Sequence, residues 1–151
     1  MGRARLGYTD EEMAQFIADR QRERDLYSQK SHDAILARGR EIGLAFASHD
    51  DATLAHVDEA IEDGVVIAEF PTTMDAVRAA HGAGLAVLMG APNVVRGGSQ
   101  SGNIAAEDLV KLGLCDALVS DYYYPALAQA AFALADRGTC DLAQAWRMIS
   151  T

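Results

Sequence analysis

Four short apolar runs, none of them alternating, constrain the fold of this chain more than any other feature. They are Leu44-Ala45-Phe46-Ala47-Ser48, Val65-Val66-Ile67-Ala68, Leu85-Ala86-Val87-Leu88-Met89 and Ala117-Leu118-Val119-Ser120. A strand with one wet face alternates polar and apolar residues; a strand covered on both faces does not need to. Runs this short and this even therefore predict strands of a parallel sheet. Helical patterns lie between them. Thr53 precedes Leu54, Val57 and Ile61, and Thr72-x-x-Asp75 opens a second pattern with Met74, Val77 and Ala80. Gly64 and Gly84 stand just before strands, where helix-ending glycines belong. The expected order is αβαβαβαβα, and the fold class is α/β with four parallel βα units. Four such units make half of a TIM-type (β/α)8 barrel or a small doubly wound sheet, and the pattern leaves both open.

The chain begins differently. Thr9-Asp10-Glu11-Glu12 is a capping box, and Met13, Phe16 and Ile17 follow at helical spacing. The helix is expected to reach about Arg40, with room for a break in the mixed-charge run Arg20–Lys30, and Gly43 ends it. This divides the chain into a helical segment, 1–42, and the βα units, 43–151.

Charge divides it in the same way. The 151 residues carry a net charge of −9, with +1 over residues 1–40 and −10 over residues 41–151. A body this acidic offers nucleic-acid phosphates no basic track, so no nucleic-acid partner is expected. An anionic substrate would need a cation to mediate. No run of 18 apolar residues is present, so no membrane span is expected, and no apolar leader follows Met1. Cys115 and Cys140 lack metal or redox spacing and read as small buried hydrophobes, which makes the cytoplasm the expected compartment.

Parallel α/β folds place their chemistry at the carboxyl ends of strands. Here those ends carry Ser48-His49-Asp50-Asp51, Glu69-Phe70-Pro71, Gly90-Ala91-Pro92-Asn93 and Ser120-Asp121-Tyr122. His49, Glu69 and Asp121 supply an imidazole and two carboxylates, a set suited to Zn²⁺ or, alternatively, Mn²⁺. Asp50 or Asp51 could orient the imidazole or carry a proton, with helix capping the rival role for Asp51. Arg96-Gly97-Gly98-Ser99-Gln100-Ser101-Gly102-Asn103 reads as a long polar loop suited to phosphate. Its glycines let backbone N–H groups approach a ligand, Ser99, Ser101 and Asn103 donate, and Arg96 offers a planar fork. Tyr122, in the run Tyr122-Tyr123-Tyr124, can line the same pocket, although packing also explains tyrosines. His32, His56 and His81 fall within helical patterns and read as helix-surface residues.

Five segments then appear in a telling order: Ala47-Ser-His-Asp-Asp-Ala-Thr53, Ala68-Glu-Phe-Pro-Thr-Thr73, Met89-Gly-Ala-Pro-Asn93, Arg96-Gly-Gly-Ser99 with Ser101-Gly-Asn103, and Ser120-Asp-Tyr122. Together they resemble the α-D-ribose 1-methylphosphonate 5-triphosphate diphosphatase family of the amidohydrolase superfamily, from about Gly7 to the last residues. The resemblance implies the second half of an amidohydrolase barrel and a divalent metal centre. It also implies hydrolysis of a phosphorylated small molecule, a triphosphate, to the 5-phosphate and pyrophosphate in phosphonate catabolism.

Within that family pattern His49 matches the fifth-strand histidine ligand. Asp121 matches the aspartate after the eighth strand, which binds metal and handles the proton of the attacking water. Glu69 departs from the pattern by standing where many relatives have a sixth-strand histidine. No His-x-His occurs in the chain, so the first metal pair of the superfamily is absent from it, and the chain reads as an incomplete enzyme, inactive alone. The other readings are a different amidohydrolase reaction (deacylation or deamination) and a non-catalytic half-barrel. Apolar strands at both sheet edges, Leu44–Ser48 and Ala117–Ser120, lead to the expectation of a homo-oligomer or a complementary barrel half as partner.

Overall fold

The computed structural model describes residues 7–99 and 102–150. The chain forms two compact units, Met1–Leu44 and Ala45–Thr151. In the first, helix α1 (Asp10–Glu41) runs without a break for 32 residues. Its start is the expected capping box: Glu12 N donates to Thr9 Oγ1 (3.2 Å) and Thr9 N to Glu12 Oε2 (2.8 Å). The mixed-charge run does not interrupt it because its charges fall three and four residues apart. Arg20 meets Glu23 at 2.9 Å and Arg22 meets Asp19 at 3.4 Å, and Gln29 adds a hydrogen bond to Asp33 at 2.9 Å. Such pairs support a helix by a few tenths of a kcal/mol each, roughly.

The second unit holds one sheet of four parallel strands: β1 (Phe46–His49), β2 (Val65–Glu69), β3 (Ala86–Gly90) and β4 (Ala117–Val119). Their order in space is their order in sequence. A doubly wound sheet reverses its order at a switch point and so covers both faces with helices. Right-handed crossovers taken always in the same direction put every helix on one side, as along the arc of a barrel. The order of the four described strands shows no switch point and is consistent with half of an α/β barrel.

Burial along the strands agrees. Ala68, Val87, Met89 and Leu118 are buried, in one core cluster with Val57, Val77, Leu109 and Leu134 from the helices. The alternate residues Ile67, Glu69, Leu88, Ala117 and Val119 are only half-buried, and His49 is exposed. Register puts His49, Glu69, Leu88 and Ala117 in one row across that second face.

The first two units repeat at an offset of twenty residues. Helix α2 (Leu54–Asp63) and helix α3 (Met74–Gly82) follow β1 and β2. Thr53 and Thr73 cap them, accepting from His56 N and Ala76 N. Val57 and Val77 are fully buried at matching places, Ala60 and Ala80 are buried at another matching pair, and Gly64 and Gly84 both take positive φ, 79° and 86°. Thr72, expected to open the second helix, does not cap it. Its hydroxyl and its backbone N–H both donate to Asp51 O.

The third unit departs from the expected pattern. Two short helices, α4 (Ala91–Arg96) and α5 (Ala106–Lys111), lie between β3 and β4. Arg96 thus ends a helix rather than starting a loop, and Pro92 sits in the first turn, where its missing N–H costs nothing. Two more, α6 (Ala126–Asp136) and α7 (Leu142–Arg147), follow β4. After α7 the chain passes the outer edge of β4, and Leu118 N donates to Met148 O at 2.7 Å. That edge, expected to be bare, is therefore satisfied at one position by the chain's own backbone.

Candidate functional site

Three of the four strands hand over to a loop by a sharp turn, while β3 runs directly into α4. Asp50, Phe70 and Asp121 are the non-glycine residues with positive φ among the described residues, at 61°, 54° and 52°. They follow β1, β2 and β4 closely, and all three line one cleft of about 190 Å³. Left-handed backbone is unfavourable for residues with a Cβ, most of all for a bulky one such as Phe70. Its confinement to the cleft marks this end of the sheet as the place where local comfort has been given up.

The polar wall of the cleft is Asp50, Asn93, Arg96, Ser99, Asn103 and Asp121. All six were singled out from the sequence. Phe70, Pro71, Met89 and Ile104 form the apolar part, which the sequence reading missed. The signal available for Phe70 was its twenty-residue equivalence to Asp50. His49, Glu69 and Tyr122 are not in the lining, and Ser101 lies outside the described residues.

His49 ends β1, its Nδ1 3.2 Å from Asp50 Oδ2 and its ring edge-on to Phe70 at 5.3 Å. A carboxylate at Nδ1 fixes the ring and directs Nε2 outward as the ligand atom. The His49 and Asp50 side chains are both exposed, so the pair is open to solvent. Asp51 is buried and accepts from Ser48 Oγ at 2.5 Å, while Thr53 caps the helix. Glu69, at the end of β2, is the register partner of His49 on the same face, one strand spacing (about 4.8 Å) away. Neither the Glu69 nor the Asp121 carboxylate has a hydrogen-bond or ion-pair partner among the described residues, so both have lone pairs to offer.

The donor chemistry of His49 and Glu69 fits a divalent ion. Asp121 does not join them: the three side chains do not bring ligand atoms mutually within 4.8 Å. Strand spacing gives the reason, because β4 lies two strands beyond β2 and three beyond β1, roughly 10 and 14 Å along the sheet. Two ligands leave a tetrahedral sphere half filled.

The far wall is built on α4. Asn93 Nδ2 donates to Ile104 O (3.2 Å) and its Oδ1 accepts from Ala106 N (3.0 Å), so this amide ties α4 to the start of α5. Arg137 Nη1 donates to Val94 O (3.0 Å) and to Glu107 Oε2 (2.9 Å). Glu107 is held below its ordinary pKa by the Thr139 hydroxyl first, then by Lys111 and Arg137, against the opposing effect of burial. Arg96 projects from the end of this anchored helix, and its Nη1 donates to the Tyr122 hydroxyl. Elsewhere, burial and then the charge of Asp116 push the Cys115 thiol up to about 12, so it is a packed thiol and not a nucleophile.

One curated relative completes the picture. The chain is 52% identical over 128 residues to α-D-ribose 1-methylphosphonate 5-triphosphate diphosphatase of Escherichia coli (strain K12). The match covers 85% of this chain and 34% of that enzyme, so the chain spans about a third of the relative's length. The resemblance carried by the five segments is thus present along most of the chain. No family model and no solved structure matches it.

Proposed function

From that identity and the cleft together, we propose that this chain forms the triphosphate-binding part of a phosphoanhydride hydrolase. The substrate is α-D-ribose 1-methylphosphonate 5-triphosphate, cut to the 5-phosphate and pyrophosphate in phosphonate catabolism. The observation that carries the reading is the cleft at the strand ends, whose lining includes Arg96 together with Asp50 and Asp121. Arg96 is the one cationic side chain among the described lining residues, and it marks where phosphate oxygens would sit, with Ser99, Ser101 and Asn103 as further donors. Deacylation or deamination is the rival reading, and weakened triphosphate binding in Arg96→Ala separates the two.

His49 and Glu69 are the ligands this chain contributes to a divalent ion, with Zn²⁺ the preferred candidate and Mn²⁺ the alternative. When bound, the ion would supply Lewis acidity and countercharge for the polyphosphate. Asp50 holds the His49 imidazole in one orientation. Asp121, which lines the cleft, takes the proton of the attacking water. Phe70, Pro71 and Met89 keep bulk water from the reacting end. The metal site and the sheet both call for further residues, from a second copy or a complementary half-barrel, so the 151 residues alone should turn over little substrate.

The test measures pyrophosphate release by the 151-residue chain with Zn²⁺ or Mn²⁺, beside calorimetric titration of Zn²⁺ and of inorganic tripolyphosphate. The expected result is negligible turnover, Zn²⁺ binding lost in His49→Ala and Glu69→Ala, and tripolyphosphate binding weakened but still measurable in Arg96→Ala. Asp50→Asn should weaken Zn²⁺ binding about tenfold. Tripolyphosphate affinity unchanged in Arg96→Ala would end the phosphate reading, and turnover at a complete enzyme's rate would end the claim of insufficiency.

A further inference from the structure

We propose that Tyr122 is a positioning residue that holds Arg96 as the anion receptor of the cleft. The proposal rests on the phosphate-binding role given to Arg96 above. The backbone beneath Arg96 is fixed from both sides, by Arg137 on Val94 O and by the Asn93 amide on Ile104 and Ala106. Its side chain is not fixed by packing, because Arg96 is exposed. An arginine in that situation samples many rotamers, and an anion that binds it must freeze them. The hydrogen bond from Nη1 to the Tyr122 hydroxyl does this in advance.

The nature of the clamp matters as much as its presence. A carboxylate would hold the guanidinium equally well but would cancel its charge. No carboxylate within ion-pair distance of Arg96 is found among the described residues. The phenol is a neutral acceptor that engages one of five N–H groups and leaves the full positive charge for phosphate oxygens. Tyr122 can reach because Asp121 precedes it with φ 52°, which turns the chain at the end of β4. The same turn sets Asp121 into the cleft and Tyr122 over its rim, so the two residues act on the ligand by different routes.

Freezing one long side chain on binding weakens an affinity roughly two- to tenfold, which is the loss expected from Tyr122→Phe. The experiment titrates inorganic tripolyphosphate into the full chain by calorimetry, for the wild type, Tyr122→Phe, Arg96→Ala and the double variant. Tyr122 is 66% exposed, so removing its hydroxyl leaves the core intact, and circular dichroism verifies this. The expected result is a two- to tenfold loss for Tyr122→Phe that disappears in the Arg96→Ala background. An equal loss in both backgrounds would make Tyr122 a direct contact and overturn the proposal. So would wild-type or tighter binding by Tyr122→Phe while Arg96→Ala binds poorly, and in that case the phosphate reading would still stand. Wild-type binding by Arg96→Ala would remove both.

Discussion

Glu107 ties together the elements that carry the far wall of the cleft, and removing it has a calculable effect. Its side chain is 18% exposed. Oε1 accepts from Thr139 Oγ1 at 2.8 Å and lies 3.2 Å from Lys111 Nζ, and Oε2 accepts from Arg137 Nη1 at 2.9 Å. A hydrogen bond to a partly buried carboxylate contributes about 1.5–3 kcal/mol. The Lys111 and Arg137 partners are 53% and 39% exposed, so each ion pair adds only about 0.5 kcal/mol after solvent screening. Water can reach the partners left behind, which reduces the net cost of Glu107→Ala to about 2 kcal/mol. Glu107→Gln keeps an acceptor for Thr139 and should cost about 1 kcal/mol.

Urea titration followed by circular dichroism reads both values, and the first corresponds to a midpoint lowered by about 1 M. The pH dependence has a definite sign. Glu107 has a folded pKa below its ordinary value of 4.5. Its contribution is therefore complete above that value and is lost as pH falls through the depressed one. The gap between wild type and Glu107→Gln should close in acid. A gap that stays constant from pH 7 to 3, or a Gln variant as stable as the wild type at pH 7, would show that this carboxylate is not the tie described.

Two further outcomes are expected. Val57→Ala and Val77→Ala should destabilise by nearly equal amounts, about 2 kcal/mol each, because both side chains are fully buried at equivalent points of the repeat; denaturation midpoints that differ widely would mean the two units are not equivalent in packing. The chain should self-associate as concentration rises, because β1 has no outer neighbour in the sheet among the described residues and Ile67, Leu88 and Val119 are only half-buried; sedimentation showing a monomer at high concentration, without binding of a hydrophobic dye, would contradict this.

What the sequence made legible follows from the range of the forces involved. The strands were found within two residues at each end, because burial leaves its mark on every residue of a short run. The Thr9 cap was read from four residues, since a capping box is local. Helix α4 was missed because Gly90-Ala91-Pro92-Asn93 looks like a strand end followed by a turn, and six residues are too few to show a helical period. The cap at Thr73 was placed one residue early, because Thr72 and Thr73 differ only in what they meet 21 residues away. For the site, the polar wall was legible as residue types that converge at strand ends. Its geometry was not. Nothing in a list of His49, Glu69 and Asp121 tells how many strand spacings separate them. The Tyr122 link to Arg96 likewise joins residues 26 apart through a turn that sequence alone does not specify.

The loops that follow β1 and β2 are stapled to each other: Thr72 bonds Asp51 O through its N–H and hydroxyl, Thr73 Oγ1 bonds Ala52 O at 3.0 Å, and Asp50 N bonds Glu69 O at 3.0 Å. Mechanically this makes a single plate of His49, Asp50, Glu69 and Phe70. A displacement imposed on either loop is transmitted to the other without passing through the hydrophobic core. An insertion in one loop would thus misalign both candidate ligands at once, so the pair can vary in length only together.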